Sequence, residues 1–110
     1  MSKDCTCIQS QGLAVDFLER TSALLKMLAH PHRLKIIEIL EREGEFSVSD
    51  ITDEINLPQP SVSLHLNQMK RMDLLESSRV GRKIKYKIKD PRVLRLLECI
   101  CKSYREEQKI

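Results

Sequence analysis

Seven consecutive residues, Lys83-Ile84-Lys85-Tyr86-Lys87-Ile88-Lys89, alternate without a break between basic and apolar side chains. Successive side chains of a strand point to opposite faces, so the pattern demands a half-buried β-strand. Ile84, Tyr86 and Ile88 share one face and the four lysines share the other. One strand cannot satisfy its own backbone. Gly81-Arg82 offers a two-residue turn with glycine first, and Leu74 to Val80 offers the preceding strand.

Elsewhere the apolar residues recur at helical spacing. Residues 11–28 carry Leu13, Phe17, Leu24 and Leu28 on one stripe. His30-Pro31 breaks that helix, and Pro31 suits the first turn of the next. The second helix is nearly all apolar through Leu34, Ile36, Ile37, Ile39 and Leu40, which makes it central, and Gly44 ends it. Ser47-Val48-Ser49-Asp50 resembles a capping box opening a short third helix with Ile51 and Ile55 inward. After Asn56-Leu57-Pro58, Pro60 opens a fourth helix running to about Asp73. Asp90-Pro91 starts a last helix striped by Val93, Leu97, Ile100 and Tyr104. The expectation is a mainly α fold with a β-hairpin, in the order α-α-α-α-β-β-α. With 110 residues, 41% of them hydrophobic, there is material for one core and too much for a disordered chain. Residues 1–10 read as a flexible N-terminal arm, and 11–108 as the single domain.

No stretch approaches the ~18 apolar residues of a membrane helix. Met1-Ser2-Lys3-Asp4-Cys5 has no apolar signal region behind it. A cytoplasmic protein without a membrane partner is expected. The charge is unevenly spread. Residues 1–58 hold 6 Lys/Arg and 10 Asp/Glu, whereas residues 59–89 hold 8 Lys/Arg against Asp73 and Glu76 alone. Such a basic patch attracts a polyanion, most often nucleic acid.

A short helix, a tight turn and a second helix with a polar outer face are the parts of a helix-turn-helix, and a basic hairpin after them makes it a winged one. Residues 49–72 supply the pair. In the fourth helix Val62, Leu66 and Met69 cluster as core, while Ser61, Leu64, Gln68 and Arg71 fall opposite, with Ser63 and His65 on the flanks. Leu64 suits a thymine methyl, an apolar feature of the major groove, and equally suits an ordinary exposed leucine. Gln59, Ser61, Ser63, His65 and Gln68 are candidates for bases or phosphates. Arg71 and the hairpin's Arg79, Arg82, Lys83 and Lys85 complete the DNA-facing set. His65 lacks a partner nearby in sequence, and with no clustered nucleophile and base an enzyme is not expected. The stripes on the first and last helices exceed what a monomer of this size easily buries, so a homodimer joined there is expected.

Leu28-Ala29-His30-Pro31-His32-Arg33-Leu34-Lys35-Ile36-Ile37, then Ser47-Val48-Ser49-Asp50-Ile51, then Gln59-Pro60-Ser61-Val62-Ser63-Leu64-His65-Leu66 and the basic hairpin resemble the ArsR/SmtB family of winged-helix repressors. The resemblance spans roughly residues 13–105. It implies a homodimer that binds double-stranded palindromic operator DNA and releases it when an effector binds. The family's effector sites map poorly here. A Cys-x-Cys at the third helix corresponds to Ser47 and Ser49. A zinc site on the last helices corresponds to Asp90, Arg92, Ser103 and Glu106. A persulfide-sensing dithiol corresponds to Glu38 and Arg105.

Four cysteines remain as candidate ligands: Cys5 and Cys7 in the arm, Cys99 and Cys101 in the last helix. In an extended arm Cys5 and Cys7 point the same way and can chelate one ion. On a helix Cys99 and Cys101 stand about 200° apart. Cys101 borders the apolar stripe, where a free cysteine also serves as core, and Cys99 faces away. Thiolates select Cd, Pb, Zn or As(III)/Sb(III), so a thiophilic metal or metalloid effector of unknown identity is expected, with no organic cofactor. A thiol redox or persulfide switch and a winged-helix protein-interaction module are the alternatives. His30 and His32 have the spacing of ligands in an extended segment, but they fall at the helix break and read as structural.

Overall fold

The expected order of elements is the observed one, with one strand added. A computed structural model describes residues 12–109: α1 (Val15–Leu28), α2 (Pro31–Glu43), β1 (Phe46–Ser47), α3 (Val48–Ile55), α4 (Gln59–Arg71), β2 (Leu75–Val80), β3 (Lys83–Ile88) and α5 (Pro91–Gln108). Cys5 and Cys7, and with them the expected arm, lie outside the described residues. No helix among the described residues is long and apolar enough to cross a membrane.

Local chemistry sets the boundaries. The His30 side chain caps α2 by accepting the His32 N–H, and Pro31 fills its first turn. Gly44 ends α2 at φ 81° and returns its N–H to the Leu40 carbonyl. Ser47 caps α3, its Oγ accepting the Asp50 N–H at 3.1 Å. Asn56 leaves α3 in the left-handed region at φ 62°. Asp90 caps α5 by accepting the Arg92 N–H at 2.9 Å.

Three expected boundaries need correction. The first helix begins at Val15, not at residue 11. Gln59 takes the first position of α4, which puts Pro60 second, where its missing N–H is equally harmless. α4 stops at Arg71 because Asp73 turns to φ 61°, while the Leu74 N–H reaches back to the Met69 carbonyl.

β3 lies between its neighbours in an antiparallel sheet of order β1-β3-β2. The hairpin pairs Leu75 with Ile88, Ser77 with Tyr86 and Val80 with Lys83, leaving Gly81-Arg82 as the turn. Gly81 sits at φ 65°, a region a side chain disfavours. The two-residue β1 pairs Phe46 with Tyr86 and Ser47 with Lys85. It covers the middle of the outer edge of β3, which shortens the open edge.

The core gathers Ile36, Ile37, Ile39 and Leu40 of α2 with Leu24 and Leu28 of α1, Ile51 of α3, three residues of α4, Leu74, Leu75 and Tyr86, and Val93 and Leu97 of α5. Central placement of α2 follows from its apolar girth. The outer stripes are not covered: Val15, Phe17, Leu18 and Leu25 of α1 and Leu94, Ile100 and Tyr104 of α5 are exposed.

Candidate nucleic-acid interface

α4 is anchored by Val62, Leu66 and Met69, each 0% exposed. Their i, i+4, i+7 spacing makes one inward stripe. The opposite face is therefore presented outward. Leu64 stands on it at 55% exposure. Gln59 and Arg71 are exposed, and Ser61, Ser63, His65 and Gln68 are half-buried. Behind α4 lies α3, held by the fully buried Ile51.

Beside α4 stands the hairpin. Gln59 and Ser63 of α4 line one groove with Arg82, Lys83 and Ile84 of the hairpin and with the first turn of α3. Arg79, Arg82 and Lys83 are exposed and Lys85 is half-buried. The two acids of the basic segment are each occupied, Glu76 by Lys87 at 3.9 Å and Asp73 by Lys89 at 3.5 Å. Arg71, Arg79, Arg82, Lys83 and Lys85 form no ion pair among the described residues. Their charge is thus left to act outward. Ile84 departs from the alternation's inward face. The register puts it on the side of Tyr86, yet it is 47% exposed.

Three contacts, none of them readable at sequence distance, hold α4 in place. The Tyr86 hydroxyl donates to Asn67 Oδ1 at 3.1 Å and ties α4 to the sheet. Burial of Tyr86 pushes its phenol above the ordinary tyrosine range, so it stays a donor. Lys70 Nζ donates to Ser77 Oγ at 2.7 Å. Arg33 of α2 donates through Nε to His65 Nδ1 at 3.1 Å, through Nη2 to Gln68 Oε1, and through Nη1 to the Met27 carbonyl at 3.0 Å. Gln68 and His65 are therefore engaged by Arg33 rather than free on the outer face. Helix and strand periodicity carry no signal for the roles of Arg33, Asn67 and Tyr86, whose partners lie on other elements.

His65 is also not alone. Its ring centroid lies 4.7 Å from that of His30 and 6.2 Å from that of His32. Desolvation, then the charges of His30, Arg33 and His32, hold His65 below the ordinary histidine range. On α5, Cys99 is exposed, while Cys101 is half-buried and packs against the core. Glu38, Cys101 and Arg105 border one groove between α2 and α5. The third-helix position where a thiolate pair would sit holds a hydroxyl pair, Ser47 Oγ and Ser49 Oγ, 3.1 Å apart.

Comparison with known proteins agrees with this architecture. Residues 30–77 match the family described as "Bacterial regulatory protein, arsR family". The transcriptional repressor PagR of Bacillus anthracis is 42% identical over 76 residues, which is 69% of this chain and 76% of PagR. The crystal structure of the AntR antimony-specific transcriptional repressor superposes with a TM-score of 0.89 at 26% identity, covering 100% of this chain and 99% of that one. The homodimeric winged helix-turn-helix DNA-binding domain of Mb0332 from Mycobacterium bovis gives a TM-score of 0.71 at 27% identity, covering 84% of each chain. These are regulators and not enzymes. With α3, α4 and the β2-β3 wing in this order, and with relatives matched across this share of both chains, the fold is a winged helix-turn-helix and the chain belongs to the ArsR family.

Proposed function

We propose that the chain is a homodimeric transcriptional repressor that binds a palindromic duplex and releases it when a thiophilic metal or metalloid ion is bound by cysteine thiolates. One observation carries the DNA reading: Gln59 and Ser63 in the first turns of α4 and two unpaired cations of the wing, Arg82 and Lys83, line the same groove. An α-helix fits a ~12 Å major groove, and cations beside it meet the flanking phosphates. In this reading Ser61, Ser63 and Leu64 face base edges, with Gln59 at the helix start, Gln68 and His65 at the flank, and Arg71 near the backbone. Arg79, Arg82, Lys83 and Lys85 take the phosphates.

The uncovered apolar faces of α1 and α5 support a dimer joined by those helices. The homodimeric relative supports it too. A twofold dimer reads a twofold operator, its two recognition helices about 34 Å apart. For the effector, the antimony-specific relative and the exposed Cys99 support a soft ion. Cys5 and Cys7 join Cys99 and Cys101 as candidate ligands. A coupling of about 1–3 kcal/mol between ion and duplex weakens DNA binding roughly 5–150-fold.

The test is a gel-shift titration of a panel of palindromic duplexes, across As(III), Sb(III), Cd(II), Pb(II) and Zn(II). It is repeated with Cys5→Ser/Cys7→Ser and with an oxidant in place of the ion. Release by a soft ion that the double substitution abolishes supports the reading. Full release by the substituted protein refutes the arm ligands, and release by oxidant alone favours a redox switch.

A further inference from the structure

Among the described residues one group of three metal-ligating side chains is close enough to share an ion: His30, His32 and His65, with ligand nitrogens within 4.8 Å of one another. It contains no cysteine and none of the positions to which the family's effector sites correspond. Residues from two elements build it. His30 and His32 flank Pro31 at the start of α2, and His65 comes from the middle of α4, 33 residues after His32.

We propose that these three histidines bind one first-row divalent ion of the zinc class, and that its binding expels Arg33 from His65. Three imidazoles leave a fourth position for water and suit Zn(II), Co(II), Ni(II) or Cu(II), and the group holds no carboxylate. Two nitrogens on one tetrahedral zinc stand ~3.3 Å apart, given Zn–N bonds of 2.0–2.1 Å. The rings must close in by about that difference, and His32 is exposed and free to turn.

The hydrogen bonds fix where the ring protons sit. His65 Nδ1 accepts from Arg33, and His30 Nδ1 accepts from the His32 N–H, so each neutral ring carries its proton on Nε2. An ion on Nε2 requires that proton to move, through solvent, to Nδ1. An ion on Nδ1 takes the acceptor lone pair itself. Either way Arg33 Nε loses its acceptor, and a guanidinium beside a divalent ion is repelled as well. Arg33 also holds Gln68 and the end of α1, so the ion alters a contact that positions α4. The ion site is independent of the DNA reading; its effect on DNA would rest on that reading.

The experiment uses the full chain with Cys5, Cys7, Cys99 and Cys101 all replaced by Ser, so that no thiolate competes. Co(II) is added and followed by visible absorption, and the imidazole nitrogens are followed by 15N NMR as Zn(II) is added. One Co(II) per protomer is expected, with the absorption of a four-coordinate site. His32→Ala, at an exposed ring, should weaken binding by more than the ~10-fold that losing even an outer-sphere partner costs, with an unchanged thermal melt. The His65 resonances should report transfer of the ring proton or direct ligation at Nδ1. Absence of saturable binding, or binding indifferent to both His32→Ala and His65→Asn, overturns the site. Saturation with the Arg33 Nε signal unmoved overturns the expulsion. Neither readout involves DNA, so a chain that bound no duplex would leave this result standing.

Discussion

Arg33 Nε lies 3.1 Å from His65 Nδ1, 32 residues away in sequence, and this bond joins α2 to the outer half of α4. The same guanidinium reaches Gln68 and the Met27 carbonyl, so one side chain fastens α4 to the α1–α2 corner. Three acceptors arranged around a planar fork suit arginine and not lysine. Arg33→Ala should lower stability by about 1.5–3 kcal/mol, the range for hydrogen bonds to a charged group. Arg33→Lys should recover only part of that. Urea unfolding measures both, and hydrogen exchange should show α4 amides losing protection before those of α2.

Tyr86 and Asn67 make the second fastening, between wing and α4. Tyr86→Phe keeps the ring in the core and removes the donor, so about 1 kcal/mol should be lost. Asn67→Ala should cost a similar amount. In a double-mutant cycle the two losses should fall short of adding, because both delete one bond. Additive losses would mean that the bond contributes nothing in solution.

Wing and helix should leave different marks on DNA binding. Arg82→Ala or Lys83→Ala should weaken binding to operator and random duplex alike, and should reduce the slope of log K against log salt by about 1. Leu64→Ala should leave the salt slope alone and lower the preference for operator over random duplex. Fluorescence anisotropy at several salt concentrations separates the two signatures.

Asp90 gives a pH dependence with a definite sign. Its side chain accepts from the Arg92 guanidinium and from the Arg92 N–H, and these bonds hold its carboxyl below the usual carboxylate range. A depressed folded-state pKa contributes stability above the unfolded value of about 3.9 that is lost as the pH falls through the folded value. Asp90→Ala should cost about 1 kcal/mol near neutrality, as the loss of a helix cap does. Unfolding midpoints of the two proteins should converge below pH 4, where the parent carboxylate also becomes protonated.

Phe17→Asp in α1 or Ile100→Asp in α5 should convert a dimer into a folded monomer, since both side chains are exposed and neither supports the core. Sedimentation velocity measures the change, and an unaltered far-UV circular dichroism spectrum excludes unfolding. A monomeric parent protein would refute the proposed interface.

What the sequence revealed and what it hid divides by distance along the chain. The inward stripe of Val62, Leu66 and Met69, the turn at Gly81 and the caps at Ser47 and Asp90 each depend on residues within one or two turns, and were readable. β1 was not: Phe46 and Ser47 are strand only because Tyr86 and Lys85 arrive beside them, and two residues carry no periodicity. Helix geometry assigns Gln68 to the outer side of α4, but geometry within α4 cannot foresee the arginine from α2 that engages it and leaves it half-buried. The same limit hid the three-histidine group, whose members come from two helices.

Ser47 ends β1 and caps α3 with one residue. Its backbone is stitched to Lys85 of the wing while its Oγ holds the first turn of α3. Tyr86, the next residue of the wing, holds Asn67 of α4. Ribbon and reading head are thus geared together, with no slack joint between them. In the proposed homodimer each protomer would grip as one rigid jaw, so an inducer bound at the cysteines would reorient whole protomers rather than fold back the ribbon.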